Sequence, residues 1–136
     1  MSLNILVTGG AGFIGSRVAT RFLKEGHKVT IIDNLSTGIK KNLPKGVKFY
    51  PLDINDPKVG SVFADEKIDI IDHHAAQIDV RKSVDKPDFD AKSNILGSLH
   101  LLELCRKYQV KKIIYISTGG AVYGEPEYLP ADLSPK

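Results

Sequence analysis

The stretch Thr8-Gly9-Gly10-Ala11-Gly12-Phe13-Ile14-Gly15 constrains this chain more than any other part of it. A short β-branched run, Leu3–Thr8, precedes it, and an amphipathic pattern follows it to about Glu25, where Gly26 ends the helix. A strand that turns straight into a helix needs glycine for the tight turn and for close packing of helix on strand. The same alternation then continues. Strands are expected at Lys28–Asp33, Val47–Leu52, Ile68–His73 and Lys112–Ser117, and helices at Pro57–Glu66 and over most of Pro87–Tyr108. Asn34–Lys45, polar and broken by Gly38 and Pro44, reads as a loop or a short helical turn. Phe13, Ile14, Val18, Phe22 and Leu23 share one face of the first helix, which is expected to pack on the sheet. Ile95, Leu99, Leu102 and Cys105 share a face of the last helix. Five short strands with helical crossovers predict an α/β fold, an open doubly wound parallel sheet with helices on both faces.

In such a sheet ligands bind at the carboxyl ends of the strands. The glycines there follow two overlapping spacings, Gly10-x-Gly12-x-x-Gly15 and Gly9-x-x-Gly12-x-x-Gly15. One glycine allows the turn, one lets the backbone approach a pyrophosphate, and one lets helix and strand close together. The first N–H groups of the helix and its positive dipole end would face the phosphates. Asp33 ends the second strand, eighteen positions beyond Gly15. An acid there accepts hydrogen bonds from both ribose hydroxyls and repels a 2′-phosphate, so the pattern predicts NAD rather than NADP on a Rossmann-type domain.

Composition narrows the function from the other side. The formal net charge of +3 is small, and the basic residues are scattered, with no run denser than doublets such as Lys40-Lys41 and Lys111-Lys112. Both doublets read as solvated surface, and no nucleic-acid partner is expected. A single cysteine, Cys105, rules out an internal disulfide and reads as a small core residue, which suits a reducing, cytoplasmic setting. The N-terminus has no basic leader region, and no apolar run reaches membrane-spanning length. Asp72, His73 and His74 are metal-ligating types, but no metal site is expected. Consecutive strand residues point to opposite faces, so the two histidines would not share a ligand. A buried Asp72 would need a partner, from a neighbouring histidine or a backbone N–H.

Several segments together carry a family resemblance. They are the glycine stretch, Asp33-Asn34-Leu35-Ser36, Asp53-Ile54, His73-His74-Ala75-Ala76-Gln77, Asn94-Ile95-Leu96-Gly97-Ser98 and Ser117-Thr118-Gly119-Gly120-Ala121-Val122-Tyr123-Gly124. With them the chain resembles the extended short-chain dehydrogenase/reductases, the NAD-dependent nucleotide-sugar epimerases and dehydratases, along essentially its whole length and most in the UDP-glucose 4-epimerase-like branch. His74 and Asp72 depart from the pattern, which has apolar residues at both places. The resemblance implies roles for named residues. Gly9, Gly12 and Gly15 would form the pyrophosphate turn, with Phe13 and Ile14 at the helix start. Asp33 would hold the adenosine ribose, with Asn34 and Ser36 close by. Asp53 and Ile54 would flank the adenine. Ala75, Ala76 and Gln77 would leave room for the cofactor, and Asn94 would tie its helix to the loop after the fourth strand. Thr118, with Ser117 second, would orient a sugar hydroxyl, making these two the candidate catalytic residues.

The resemblance also implies a reaction. A Tyr assisted by a Lys four residues on takes the proton of a sugar hydroxyl as hydride passes to NAD, and the 4-keto-sugar takes it back on its other face. Relatives that eliminate water carry an acidic pair after the Thr. Gly119-Gly120 cannot act as acid or base, which favours epimerisation of a UDP-hexose or simple redox. The one Tyr-x-x-x-Lys match, Tyr108 to Lys112, precedes the fifth strand and spans a helix end, so the two side chains would not share a helix face. By the resemblance, the family's pair, its later strands and its substrate domain are expected past Lys136, with residues 1–136 forming an incomplete NAD-binding Rossmann domain, truncated after strand five and inert alone. A homodimer partly through the Pro87–Tyr108 helix is expected. Two other readings stand beside this one: a non-catalytic NAD-binding module, and another family member such as a nucleotide-sugar decarboxylase or reductase.

Overall fold

A computed structural model describes residues 2–118 of the chain. The elements run β1 (Asn4–Thr8), α1 (Phe13–Lys24), β2 (Lys28–Ile32), a 3-10 turn at Lys40–Asn42, β3 (Lys48–Tyr50), α2 (Val59–Glu66), β4 (Ile70–His73), α3 (Val80–Asp85), α4 (Pro87–Ala91), a π-helical turn at Lys92–Leu96, α5 (Gly97–Lys107) and β5 (Lys112–Tyr115). The strands form one parallel sheet in the order β3-β2-β1-β4-β5. This is the expected doubly wound α/β sheet, and the switch in strand order falls between β1 and β4.

Strand alternation divides the core in two. Leu6, Ile32 and Ile71 point to one face and pack with Val59, Val62 and Phe63 of α2 and Leu101 and Leu104 of α5. Ile5, Val7, Val29 and Ile31 point to the other and meet Ala19, with Phe22 and Leu23 partly buried beside them. Burying side chains of this size stabilises by about 1.5–3 kcal/mol each. Parallel register sets Thr8 opposite both Ile32 and His73, so three strand ends finish at one level.

Two helix faces differ from expectation. On α1 the sheet side is Gly15, Ser16 and Ala19, and Phe13 and Ile14 are exposed. The helix begins so close to β1 that only small residues fit beneath its first turns. On α5 the buried stripe is Gly97, Ser98, Leu101 and Leu104, and Ile95, Leu99 and Leu102 face outward. Cys105 is half-buried against the core, as its apolar setting suggested. The helix expected over Pro87–Tyr108 is helical throughout that span but widened by the π turn. The short helix α3 was not legible from periodicity. It buries none of its residues, and the Asp79 carboxylate caps it by accepting from the Arg81 and Lys82 N–H groups.

Candidate functional site

The glycine turn leaves β1 through Gly9, whose φ of +67° is left-handed backbone that side chains with a Cβ rarely adopt. A Cβ there would also stand 2.8 Å from the Ala75 nitrogen, so the turn and the loop after β4 are in direct contact. Gly12 closes the turn by donating its N–H to the Gly9 carbonyl at 3.0 Å, and its own carbonyl accepts the Ser16 N–H at 3.1 Å. A Cβ on Gly15 would run into the Gly9 carbonyl, which accounts for glycine at that place. Phe13 and Ile14 open α1 with exposed side chains. The helix has no acidic residue in its first turn and no side-chain cap, so nothing of its own competes for the N-terminal N–H groups.

Asp33 follows β2 directly and is 7 % exposed. Its Oδ2 accepts the Ala11 N–H at 3.0 Å and its Oδ1 accepts the Leu35 N–H at 2.8 Å. A carboxylate has about four acceptor directions, so two remain for a ligand. Asn34 donates its side-chain amide to Asp53 at 2.8 Å and accepts the Ser36 N–H at 3.0 Å. Partial burial works to raise the Asp53 carboxyl. The Asn55 N–H and the Asn34 and Asn55 side-chain amides outweigh it and hold the group below its ordinary value. The structure thus brings Asp33, Asn34, Ser36 and Asp53 to one end of the glycine turn. The Ile54 side chain belongs to the core, against Gly97, and its carbonyl is bonded by His100 Nδ1 at 2.7 Å.

The β4 side is built differently. His73 is buried, with Nδ1 2.7 Å from the Thr8 hydroxyl and Nε2 3.2 Å from the Ser98 hydroxyl. Ser98 donates its own proton to the Asn94 carbonyl at 2.7 Å, which assigns the imidazole proton to Nε2. Thr8 then donates to Nδ1 and accepts the Ala75 N–H at 3.2 Å. Burial first, then the neighbouring His74, pushes the His73 pKa down to about 4 against the opposing pull of Asp72. The ring is therefore neutral at neutral pH. Asn94 accepts the Gln77 N–H at 2.8 Å and donates to the Gln77 carbonyl at 2.9 Å, tying helix to loop as the sequence suggested. Ala75 is half-buried and Ala76 exposed beside it.

On the opposite face of β4, His74 Nε2 lies 3.0 Å from Asp72 Oδ1. The two atoms are at contact distance, but neither makes a hydrogen bond among the described residues. The neighbouring histidine expected beside Asp72 is there, but it does not satisfy Asp72 Oδ1 with a hydrogen bond, and the two histidines face opposite ways. Among the described residues no three His, Cys, Asp or Glu side chains converge as a metal site. Nor is any helix there long and apolar enough to cross a membrane.

Ser117 and Thr118 follow β5 and are exposed. Three strand spacings separate β5 from β2, about 14 Å across the sheet. The two hydroxyls and Asp33 thus stand at opposite ends of one row of strand termini. Gly119 and Gly120 lie outside the described residues. Sequence reasoning missed Thr8, His73 and Ser98 as a unit. A signal existed, because Thr8 and His73 each fall two residues after a core residue, Leu6 and Ile71, and so had to point inward.

Comparison with known proteins converges on one group. The model of the NAD dependent epimerase/dehydratase family matches residues 5–135. A UDP-glucose 4-epimerase of Mycolicibacterium smegmatis is 42 % identical over 94 % of this chain and 42 % of its own length. Among solved structures, the UDP-glucose 4-epimerase of Thermus thermophilus in complex with NAD superposes with a TM-score of 0.89 at 46 % identity, covering 96 % of this chain and 42 % of that one. The UDP-glucose 4-epimerase of Thermotoga maritima with UDP-glucose gives 0.87 at 48 % identity, covering 93 % and 41 %. The chain therefore spans about two fifths of the length of the proteins it matches.

Proposed function

The chain belongs to the NAD dependent epimerase/dehydratase family, and from that premise we propose that residues 1–136 form the NAD-binding part of a UDP-hexose 4-epimerase. The observation that carries the reading is Asp33. Its carboxylate ends β2, is fixed against the glycine turn by the Ala11 N–H, and keeps two acceptor directions free. A cofactor with free ribose hydroxyls fits that arrangement, and a 2′-phosphate does not. The turn at Gly9, Gly12 and Gly15 packs too closely on the β4 loop and on itself to admit a Cβ at Gly9 or Gly15, and this closeness, with the open N-terminus of α1, supports a pyrophosphate site there.

The residues divide the work along the strand ends. The Asn34–Asp53 bond borders the adenine side, with Ser36 beside it and Ile54 supporting the loop from the core. Ala75, Ala76 and Gln77 line the middle, held in place by Asn94. Thr118, with Ser117, orients the sugar hydroxyl whose proton is lost. NAD, when bound, supplies the hydride acceptor. The outward stripe Ile95, Leu99 and Leu102 supports a homodimer formed partly through the α4–α5 helix.

Calorimetry tests the reading. Asp33→Ala is expected to weaken NAD binding at least tenfold and to erase the preference over NADP, by loss of two charge-assisted hydrogen bonds of about 1 kcal/mol or more each. Unchanged affinity and unchanged preference would overturn it. The reaction class is read by proton NMR of UDP-galactose with the enzyme. Conversion to UDP-glucose supports epimerisation; no conversion there, with loss of carbon dioxide from a UDP-hexuronate or net reduction of a keto-sugar at the expense of added NADH, would replace it with a decarboxylase or reductase.

A further inference from the structure

The segment between Asp33 and Asn42 folds back over the glycine turn, and its hydrogen bonds to that turn are made at Ala11. The Ala11 N–H goes to Asp33 Oδ2, and the Ala11 carbonyl accepts two bonds at 3.0 Å each, from the Ile39 N–H and the Asn42 side-chain amide. Both backbone polar groups of Ala11 are therefore taken up by this segment. Gly38 is the point of closest approach. A Cβ on Gly38 would sit 2.7 Å from Asp33 Oδ1, 2.9 Å from Oδ2 and 2.9 Å from the Ala11 Cβ. Both carboxylate oxygens are held by backbone N–H groups, so making room for that Cβ would break at least one of these bonds and reorient the acid.

We propose that Gly38 is a specificity-determining positioning residue: its missing side chain lets the loop clasp Asp33 in the one orientation that presents its free acceptor directions to a ribose. Asn42 is the second part of the clasp, holding the loop on Ala11. Neither residue needs to touch the ligand. A Cβ at position 38 turns the carboxylate away, which removes hydrogen bonds that only an unphosphorylated ribose makes. It also relieves the repulsion that only a 2′-phosphate feels. The two effects have opposite signs for the two dinucleotides, and this separates a positioning role from a merely structural one. The inference rests on the assignment of Asp33 to the ribose.

The test is a double-mutant cycle read by calorimetry with NAD and with NADP. Gly38→Ala, whose fold is checked by its thermal midpoint, is expected to weaken NAD about tenfold while NADP changes less than about threefold, the size expected for one to two lost hydrogen bonds. Asn42→Asp, equal in size but unable to donate to the Ala11 carbonyl, is expected to shift the ratio in the same direction by about threefold. In an Asp33→Ala background, Gly38→Ala is expected to leave the ratio unmoved. If Gly38→Ala weakens both dinucleotides equally, or shifts the ratio even without Asp33, the proposal is overturned. Should Gly38→Ala fail to fold, the Asn42→Asp ratio alone decides, an unchanged ratio overturning the clasp. Failure of the ribose assignment is read separately, from Asp33→Ala alone.

Discussion

The row of strand ends has two halves that are held in different ways. Around Asp33 the fixing groups are main-chain amides: Ala11 and Leu35 hold the acid, and Gly12 closes the turn. Around β4 the fixing groups are buried side chains, with Thr8, His73 and Ser98 in a line and Asn94 beyond. The first half keeps polar groups free at a charged acid. The second uses up both nitrogens of a neutral imidazole on protein partners. A ligand can be recognised in the first half, whereas the second sets the geometry on which that recognition stands.

Four measurements would break or sharpen this contrast. The largest effect is expected from Gly9→Ala, because Gly9 touches both halves. It forces a Cβ into left-handed backbone and against the Ala75 nitrogen, for a loss of about 3–4 kcal/mol in urea unfolding. A loss below about 1 kcal/mol would show that the halves are not in rigid contact. His73→Ala comes next, at about 3 kcal/mol, since it opens a void and strands the Thr8 and Ser98 hydroxyls. Phenotypically neutral behaviour in the same titration would mean that the side-chain network is ornamental.

The third measurement is pH. The His73 pKa falls from an ordinary 6.5 to about 4 on folding. Between those values the unfolded chain binds the extra proton, so stability rises with pH there. The contribution is complete above about pH 6.5 and drains away as pH falls toward 4, amounting to roughly 2–3 kcal/mol. His73→Gln is expected to flatten that part of the profile, and an identical profile in the variant would assign the effect to another group. The smallest effect is expected from Asn34→Ala, which removes two exposed bonds, to Asp53 and from the Ser36 N–H, and costs about 1 kcal/mol of stability. It also removes one of the amides that lower the Asp53 pKa, so the Asp53 titration, followed by NMR, should move upward.

The sequence made the main-chain half readable and left the side-chain half mostly hidden, for a physical reason. Glycine spacing and a strand-terminal acid are local patterns, because the turn that needs them is local. The sheet itself was legible through its β-branched runs, and Asn94 was placed through its motif. The line Thr8–His73–Ser98 joins residues far apart in the chain, and no local period reports such a contact. The outward turn of Ile95, Leu99 and Leu102 was hidden for a similar reason. Periodicity finds an apolar stripe but not which way it faces, and Gly97, Ser98, Leu101 and Leu104 make a second stripe on the same helix. Gly38 and Asn42 looked like ordinary loop residues until the loop was seen lying on Ala11.

The π turn at Lys92–Leu96 bears on how this helix tolerates insertions and deletions. Asp90, Asn94 and Ser98, the three residues on its working side, recur every four positions. In a plain α-helix each such step overshoots a full turn by about 40°. The wider turn absorbs part of that drift and keeps Asn94 in reach of the loop and Ser98 in reach of His73, with Asp90 bonded to Asn94. Deleting one residue after Asn94 while the wide turn persists would swing everything after it by about 100° relative to Asn94. Gly97, which passes under Ile54, would be carried out of that gap, and a residue with a side chain would be driven in. Length in this helix is therefore fixed to the single residue, while the exposed helix α3 just before it has no such gauge.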